Sequence, residues 1–243
     1  GHFIKMPPFV LQFLCQKCLT ADLSVFFITI KALFRLILLL LRFKLKYENS
    51  NSLIFLQMYY MIALLMAANF FFHIPNMEKM EAKAAEAKNY CIECDMNTKF
   101  CILVDYSLPS GVDRLFVWSF EKNCVIDEYP VAHGRGKSKH LYDRPRFSNV
   151  PNSYLSSLGM CRIAERYEGK YGTSYRLDGL EKTNSNVRAR DIVIHSFNDM
   201  PDTEIYPQYC PRSRGCVMVS ENNMSRLDDL LKDEQNVLLY IYK

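Results

Sequence analysis

The sequence predicts a mainly β domain, a sandwich or partly closed barrel with a few short helices, preceded by an apolar helical N-terminal segment. Three observations lead there. Two long apolar stretches lie before residue 75. From residue 100 onward, short β-type runs alternate with Gly, Pro, Asn and Ser clusters. Late in the chain, Asn222–Lys232 carries a helical period, with Met224, Leu227, Leu230 and Leu231 on one face. The 243 residues suit one ordinary domain plus an appendage, and 49% hydrophobic with 23% charged residues excludes a disordered or collagen-like chain.

Of the N-terminal stretches, residues 25–43 contain Lys31 and Arg35, and each cation near the middle of a span costs roughly 2.5–3.5 kcal/mol. Residues 53–72 carry no charge and would reach about 30 Å as a helix, enough to cross a bilayer core. They are the expected membrane segment. Arg42, Lys44 and Lys46 before it place residues 1–50 in the cytoplasm and the rest outside. The same stretch also suits a signal-peptide core, without a clear small-residue cleavage site, or a buried hairpin. Each reading starts the folded part after Pro75. Residues 1–75 are thus expected to be membrane-directed, 76–99 a spacer helix of mixed charge, and 100–243 the β domain.

Charge is uneven. Residues 1–75 carry seven Lys/Arg against two Asp/Glu, whereas residues 76–243 carry 23 against 24. A nearly neutral domain argues against nucleic acid as a partner. The predicted strands are 102–105, 115–120, 124–132, 160–164, 192–194, 217–219 and 237–242, with a hairpin turn at Glu121-Lys122-Asn123.

Nine cysteines are present. Cys216 has a distinctive setting. Gly215 before it permits a sharp turn that exposes peptide N–H groups, a route to an oxyanion hole. His195 ends an apolar run, where a side chain is firmly held yet able to face a cleft. A thiol needs a base or a cation to become nucleophilic, so His195 and Cys216 are a sensible pair. An inert buried Cys and a satisfied core His are the ordinary alternative. Cys15-x-x-Cys18 and Cys91-x-x-Cys94 invite a zinc reading, but they are far apart in the chain and no His spacing completes a site, so no metal or cofactor is expected.

His195, seventeen residues, then Ser213-Arg214-Gly215-Cys216 resembles the signature of the L,D-transpeptidase (YkuD-like) catalytic domain, in its murein L,D-transpeptidase branch. The resemblance extends over Leu103–Ser107, Pro109-Ser110-Gly111, Arg114–Val117, Pro130–Gly134, Phe147-Ser148-Asn149 and Gly169–Gly172, and covers about residues 100–243. It implies a bacterial envelope enzyme, anchored or exported, acting on peptidoglycan stem peptides. Cys216 would be the nucleophile, His195 the proton carrier oriented by a backbone carbonyl, and amides around Gly215 and Cys216 the oxyanion donors. Ser196, Ser213, Arg214 and His133 would line the substrate site, and carbapenem-type inhibitors would react. The product would be a cross-link, or with water as acceptor an L,D-carboxypeptidase cleavage.

Two positions depart from the pattern. Many members have His at Arg214 and Arg or Asn at Met218. Arg214 stays protonated, so it cannot be a base; it would tune Cys216 or bind a carboxylate. Arg188 and Arg190 are further candidates for acidic stem peptides, or a solvated edge. A non-catalytic peptidoglycan-binding protein is the alternative of another class. A sortase-like site would need an Arg on a strand after the Cys, and the only later Arg, Arg226, falls on the predicted helix.

Overall fold

The computed structural model describes residues 75–137 and 144–243. The expected span at 53–72 lies outside them, and among the described residues no helix is long and apolar enough to cross a membrane. Helix α1 (Met77–Glu93) leads into strands β1 (Phe100–Asp105), β2 (Asp113–Ser119), β3 (Cys124–Pro130), β4 (Gly159–Gly169), β5 (Gly172–Gly179), β6 (Val193–Ser196) and β7 (Val217–Val219). Helix α2 (Glu221–Leu231) and strand β8 (Leu238–Tyr242) complete the fold.

All eight strands form one mixed sheet, in the order β3-β2-β1-β8-β4-β5-β6-β7. The β1–β8 and β6–β7 pairs are parallel and the others antiparallel. The ladder is not closed. Past β3, however, the chain reaches the far edge: Ala132 N–H donates to Met218 O at 2.9 Å, and Ser213 N–H to His133 O at 3.0 Å. The expected partly closed barrel is therefore a single curled sheet with a short seam.

The middle strands are apolar on both sides because both sheet faces are covered. Along β1, Ile102 and Val104 enter one cluster while Cys101 and Leu103 enter the other. In β8, Leu239 and Ile241 face one way, Leu238 and Tyr240 the other. That is period-2 alternation with two dry faces. Helix α1 covers one face with Met80, Ala84, Ala87 and Cys91, a stripe at helical spacing. Asn76 Oδ1 caps it by accepting from Lys79 N–H at 3.0 Å. Lys79 Nζ also meets Asp105 at 3.2 Å. The helix, expected as a spacer or packing helix, packs against the sheet. Helix α2, capped by Ser220, lays Met224, Leu227 and Leu231 into the other cluster.

Strand β5 was not among the predicted strands. Ser174 and Arg176 interrupt its apolar positions Tyr175 and Leu177, and only part of its length is buried. Removing the Leu227 side chain, which is fully buried under the sheet, should cost about 2–5 kcal/mol in a urea unfolding experiment.

Candidate active site

A parallel pair of adjacent strands needs a long crossover. Between β6 and β7 that crossover is the loop 197–216, and it accounts for the sequence distance between His195 and Cys216. In the ladder, Ile194 pairs with Val217 and His195 with Met218. Ile194 and Val217 both enter the interior cluster. Strand alternation turns His195 to the opposite face; Cys216 sits in the bend just before β7. Cys216 stands one pleat before the register partner of His195.

His195 is 6% exposed. Its Nδ1 lies 2.7 Å from the Ser196 carbonyl, which can only accept, so Nδ1 carries the proton and Nε2 keeps its lone pair. Burial pulls the His195 pKa below the ordinary value, and the Ser196 bond opposes this. Tyr171, 43% exposed at the β4–β5 turn, stacks on the imidazole with ring centroids 4.8 Å apart. Ser196 Oγ donates to Tyr171 O at 2.9 Å, so this hydroxyl holds the stacking residue in place.

Cys216 is partly exposed. Its thiol donates to the Asp191 carbonyl at 3.6 Å rather than to His195. Burial raises its pKa, and Asp191 adds to this; the Val193 amide, Arg190 and its own amide pull it down. Arg190 is the cation acting on the sulfur, and it is rigidly placed. Its guanidinium donates to Ser148 O, Ser157 Oγ, Ser153 Oγ and Leu155 O at 2.5–3.1 Å. Neither Arg190 nor Arg188 is a free edge. Arg188 is tied to Asp178 and Glu165.

The Ser213–Cys216 turn is held by its own serine. Ser213 Oγ accepts from Gly215 N–H at 3.0 Å and donates to Cys216 O at 2.8 Å. The Gly215 amide, expected as an oxyanion donor, is therefore engaged. What Gly215 supplies is conformation: its φ is +119, and a Cβ there would lie 2.6 Å from Ile192 Cδ1 and 2.7 Å from Leu155 O. Ser156 Oγ, 3.3 Å from Gly215 O, ties the turn to Gly134 N–H.

His133 does not line the surface. It is 2% exposed and its Nδ1 lies 3.0 Å from Arg114 Nη2. Arg114, fully buried, donates to Val131 O and Leu108 O and lies over the Tyr106 ring. Tyr106 in turn donates to Ala132 O at 2.8 Å. Burial first, then Arg114 and Arg212, lowers the His133 pKa to about 3. Arg214 is exposed, with its guanidinium over the Tyr154 ring at 5.4 Å. Among the described residues there is no metal-binding group of three His, Cys, Asp or Glu.

A sequence model of the YkuD_2 family, the L,D-transpeptidase catalytic domain, matches residues 75–242. The chain belongs to this family. No curated protein matches it. Among solved structures, the helical cell shape determining protein Pgp2 of Campylobacter jejuni is 13% identical, with TM-score 0.41 over 59% of this chain and 47% of that one. An L,D-transpeptidase from Mycobacterium smegmatis is 12% identical, with TM-score 0.37 over 60% and 59%. The L,D-transpeptidase LdtMt1, solved in complex with imipenem, is 12% identical, with TM-score 0.36 over 59% and 59%. The chain thus spans about half the length of these proteins.

The family match starts at residue 75, so the L,D-transpeptidase domain includes helix α1. Sequence reasoning gave Tyr171 no role of its own within the Gly169–Gly172 motif and missed Tyr154, because single tyrosines in irregular segments give no periodic signal. It also missed the buried Arg114, whose charge reads as surface. His133 provides a check on this interior. Unfolded, it binds a proton below about pH 6.5, and folded it does so only near 3. Its contribution is therefore complete above pH 6.5 and falls by about 1.4 kcal/mol per pH unit below that. Asp113, raised to about 7 by burial and then by Glu204, works in the opposite direction. The readout is hence the difference in unfolding free energy between wild type and His133→Asn, which should shrink between pH 6.5 and 5.

Proposed function

We propose that the protein is a cysteine L,D-transpeptidase that acts on peptidoglycan stem peptides through a thioester. The observation that supports this reading is the β6–β7 pairing, which runs the strand bearing His195 alongside the strand that Cys216 leads into, while the Ser196 carbonyl fixes the imidazole tautomer. Nε2 is left as the acceptor for the thiol proton.

In the first step the sulfur attacks the carbonyl carbon of the L-centre of the diamino acid at stem position three. The C–S bond forms, the C–N bond to the terminal D-alanine breaks, and imidazolium returns its proton to the leaving amine. An amine of a second stem then attacks the thioester, giving a new amide and restoring the thiol. Water in place of the amine gives the L,D-carboxypeptidase reaction. Oxyanion donation falls to the Cys216 amide, since the Gly215 amide is held by Ser213; one such donor is worth about 10²–10³ in rate. The site of action is the bacterial cell envelope, with residues 53–72 as anchor or export signal.

A lowered His195 pKa and a raised Cys216 pKa describe a neutral imidazole beside a neutral thiol at pH 7. Thiolate must form during attack, so acylation should accelerate from pH 6 to 9. Incubation with a carbapenem, followed by intact mass, should give one adduct that is lost in Cys216→Ala. In His195→Ala it should form about 10²–10⁴-fold more slowly. Absence of an adduct in wild type would favour a non-catalytic binding protein. Tetrapeptide stems with and without an acceptor amine then separate transfer from hydrolysis: tripeptide alone marks the carboxypeptidase.

A further inference from the structure

Arginines in the described part of the chain are mostly neutralised. Arg162 and Arg188 pair with Asp178, Arg166 with Asp228, Arg176 with Asp191 and Arg226 with Asp127. Arg114 and Arg190 are surrounded by backbone carbonyls. Arg135 and Arg214 differ. Both are exposed, and their guanidinium carbons lie 5.5 and 5.4 Å from the centroid of the same ring, Tyr154. Among the described residues neither has a carboxylate partner.

Their placement is built into the fold. The Gly134–Ser213 bridge sets the two segments side by side, and Arg135 N–H donates to Ser213 O at 2.9 Å. Arg214 is two residues before Cys216. Tyr154 itself has a left-handed backbone, φ +56, rare for a bulky residue, and its carbonyl is held by Gly136 N–H at 2.8 Å. A third exposed cation, Arg146, packs against Gly136: its Nη2 would lie 3.4 Å from a Cβ there. Stacking on an aromatic face uses the plane of a guanidinium and leaves its in-plane N–H donors unspent. Two such forks on one ring, one of them two residues before Cys216, match a planar carboxylate, which accepts paired N–H bonds.

We propose that Arg135 and Arg214, braced on Tyr154, form a carboxylate-binding site that holds the acyl-donor peptide beside Cys216. The proposal rests on the reading of Cys216 as nucleophile and adds a substrate requirement: the donor must carry a free carboxylate near the bond attacked. A stem peptide has two sources of one, the α-carboxylate of its terminal D-residue and the second carboxylate of its diamino acid.

The first test needs no turnover. The full chain is alkylated with iodoacetate, which is anionic, and with iodoacetamide, which is neutral and of nearly the same size. Peptide mass mapping reads Cys216, with the exposed Cys94 as internal control. The iodoacetate-to-iodoacetamide rate ratio at Cys216 should fall about 10-fold in Arg135→Gln/Arg214→Gln and recover in part in Arg135→Lys/Arg214→Lys, while the Cys94 ratio stays constant. An unchanged Cys216 ratio in the Gln variant overturns the site. The second test uses tetrapeptide stems in which one carboxylate or the other is a carboxamide. The amide at the bound position should raise KM about 10-fold with kcat little changed, and this effect should vanish in the Gln variant. Indifference to both amidations overturns the proposal. An intact alkylation preference with no turnover of any stem supports the carboxylate site and overturns the transpeptidase reading instead.

Discussion

The site depends on one constraint, the parallel register between β6 and β7. In a sheet with a dry face, register cannot slip by one residue without turning every apolar side chain outward. Ile194 and Val217 are locked together inside the core, and that lock decides where their neighbours go. His195 and Met218 face away from the core because Ile194 and Val217 share it, and Cys216 enters the bend beside them. The candidate pair is thus brought near by strand packing rather than by a bond between the two groups: His195 is bonded to the Ser196 carbonyl and Cys216 to the Asp191 carbonyl.

Around that pair the structure spends its polar groups on holding backbone. Ser213 closes the turn before the cysteine, Ser156 fastens it to Gly134, and Ser196 fixes both an imidazole tautomer and the Tyr171 carbonyl. Arg190 gathers the 148–157 loop through two carbonyls and two hydroxyls. Behind the site, Arg114, His133 and Tyr106 form a buried polar group that supports the seam between the ends of the sheet. Buried networks of this kind rigidify when every member is satisfied. Such rigidity suits a site in which a small displacement of donor and acceptor is costly.

Charge is distributed by the same logic. A domain that is close to neutral overall pairs its surface arginines with Asp and Glu wherever the sheet offers them. At the mouth of the site, on the segments joined by the Gly134–Ser213 bridge, the exposed guanidinium groups rest on an aromatic ring instead. The chain departs from the usual family signature at Arg214, within this patch. Met218, the other departure, is the register partner of His195 and joins a small apolar cluster with Ala132, Met200 and Cys210.

Much of this was legible beforehand. Period-2 runs, turn clusters and one amphipathic helix predicted the β-rich architecture. The spacing of His195 from Ser213-Arg214-Gly215-Cys216 carried the resemblance to the family that the chain belongs to. Both are local signals, carried by residue type at fixed separation. Three roles were not legible. Ser196 and Ser213 also hydrogen-bond backbone groups, His133 is buried rather than on a substrate-side surface, and Gly215 supplies a backbone angle while its amide is engaged. Each of those depends on which segments become neighbours. Sequence alone determined the alternation of apolar residues and the identity of the reactive groups, because these are properties of single strands and side chains. The tertiary structure decided their burial, their partners and their protonation, because those follow from contacts between segments far apart in the chain, whose pairing no local pattern encodes.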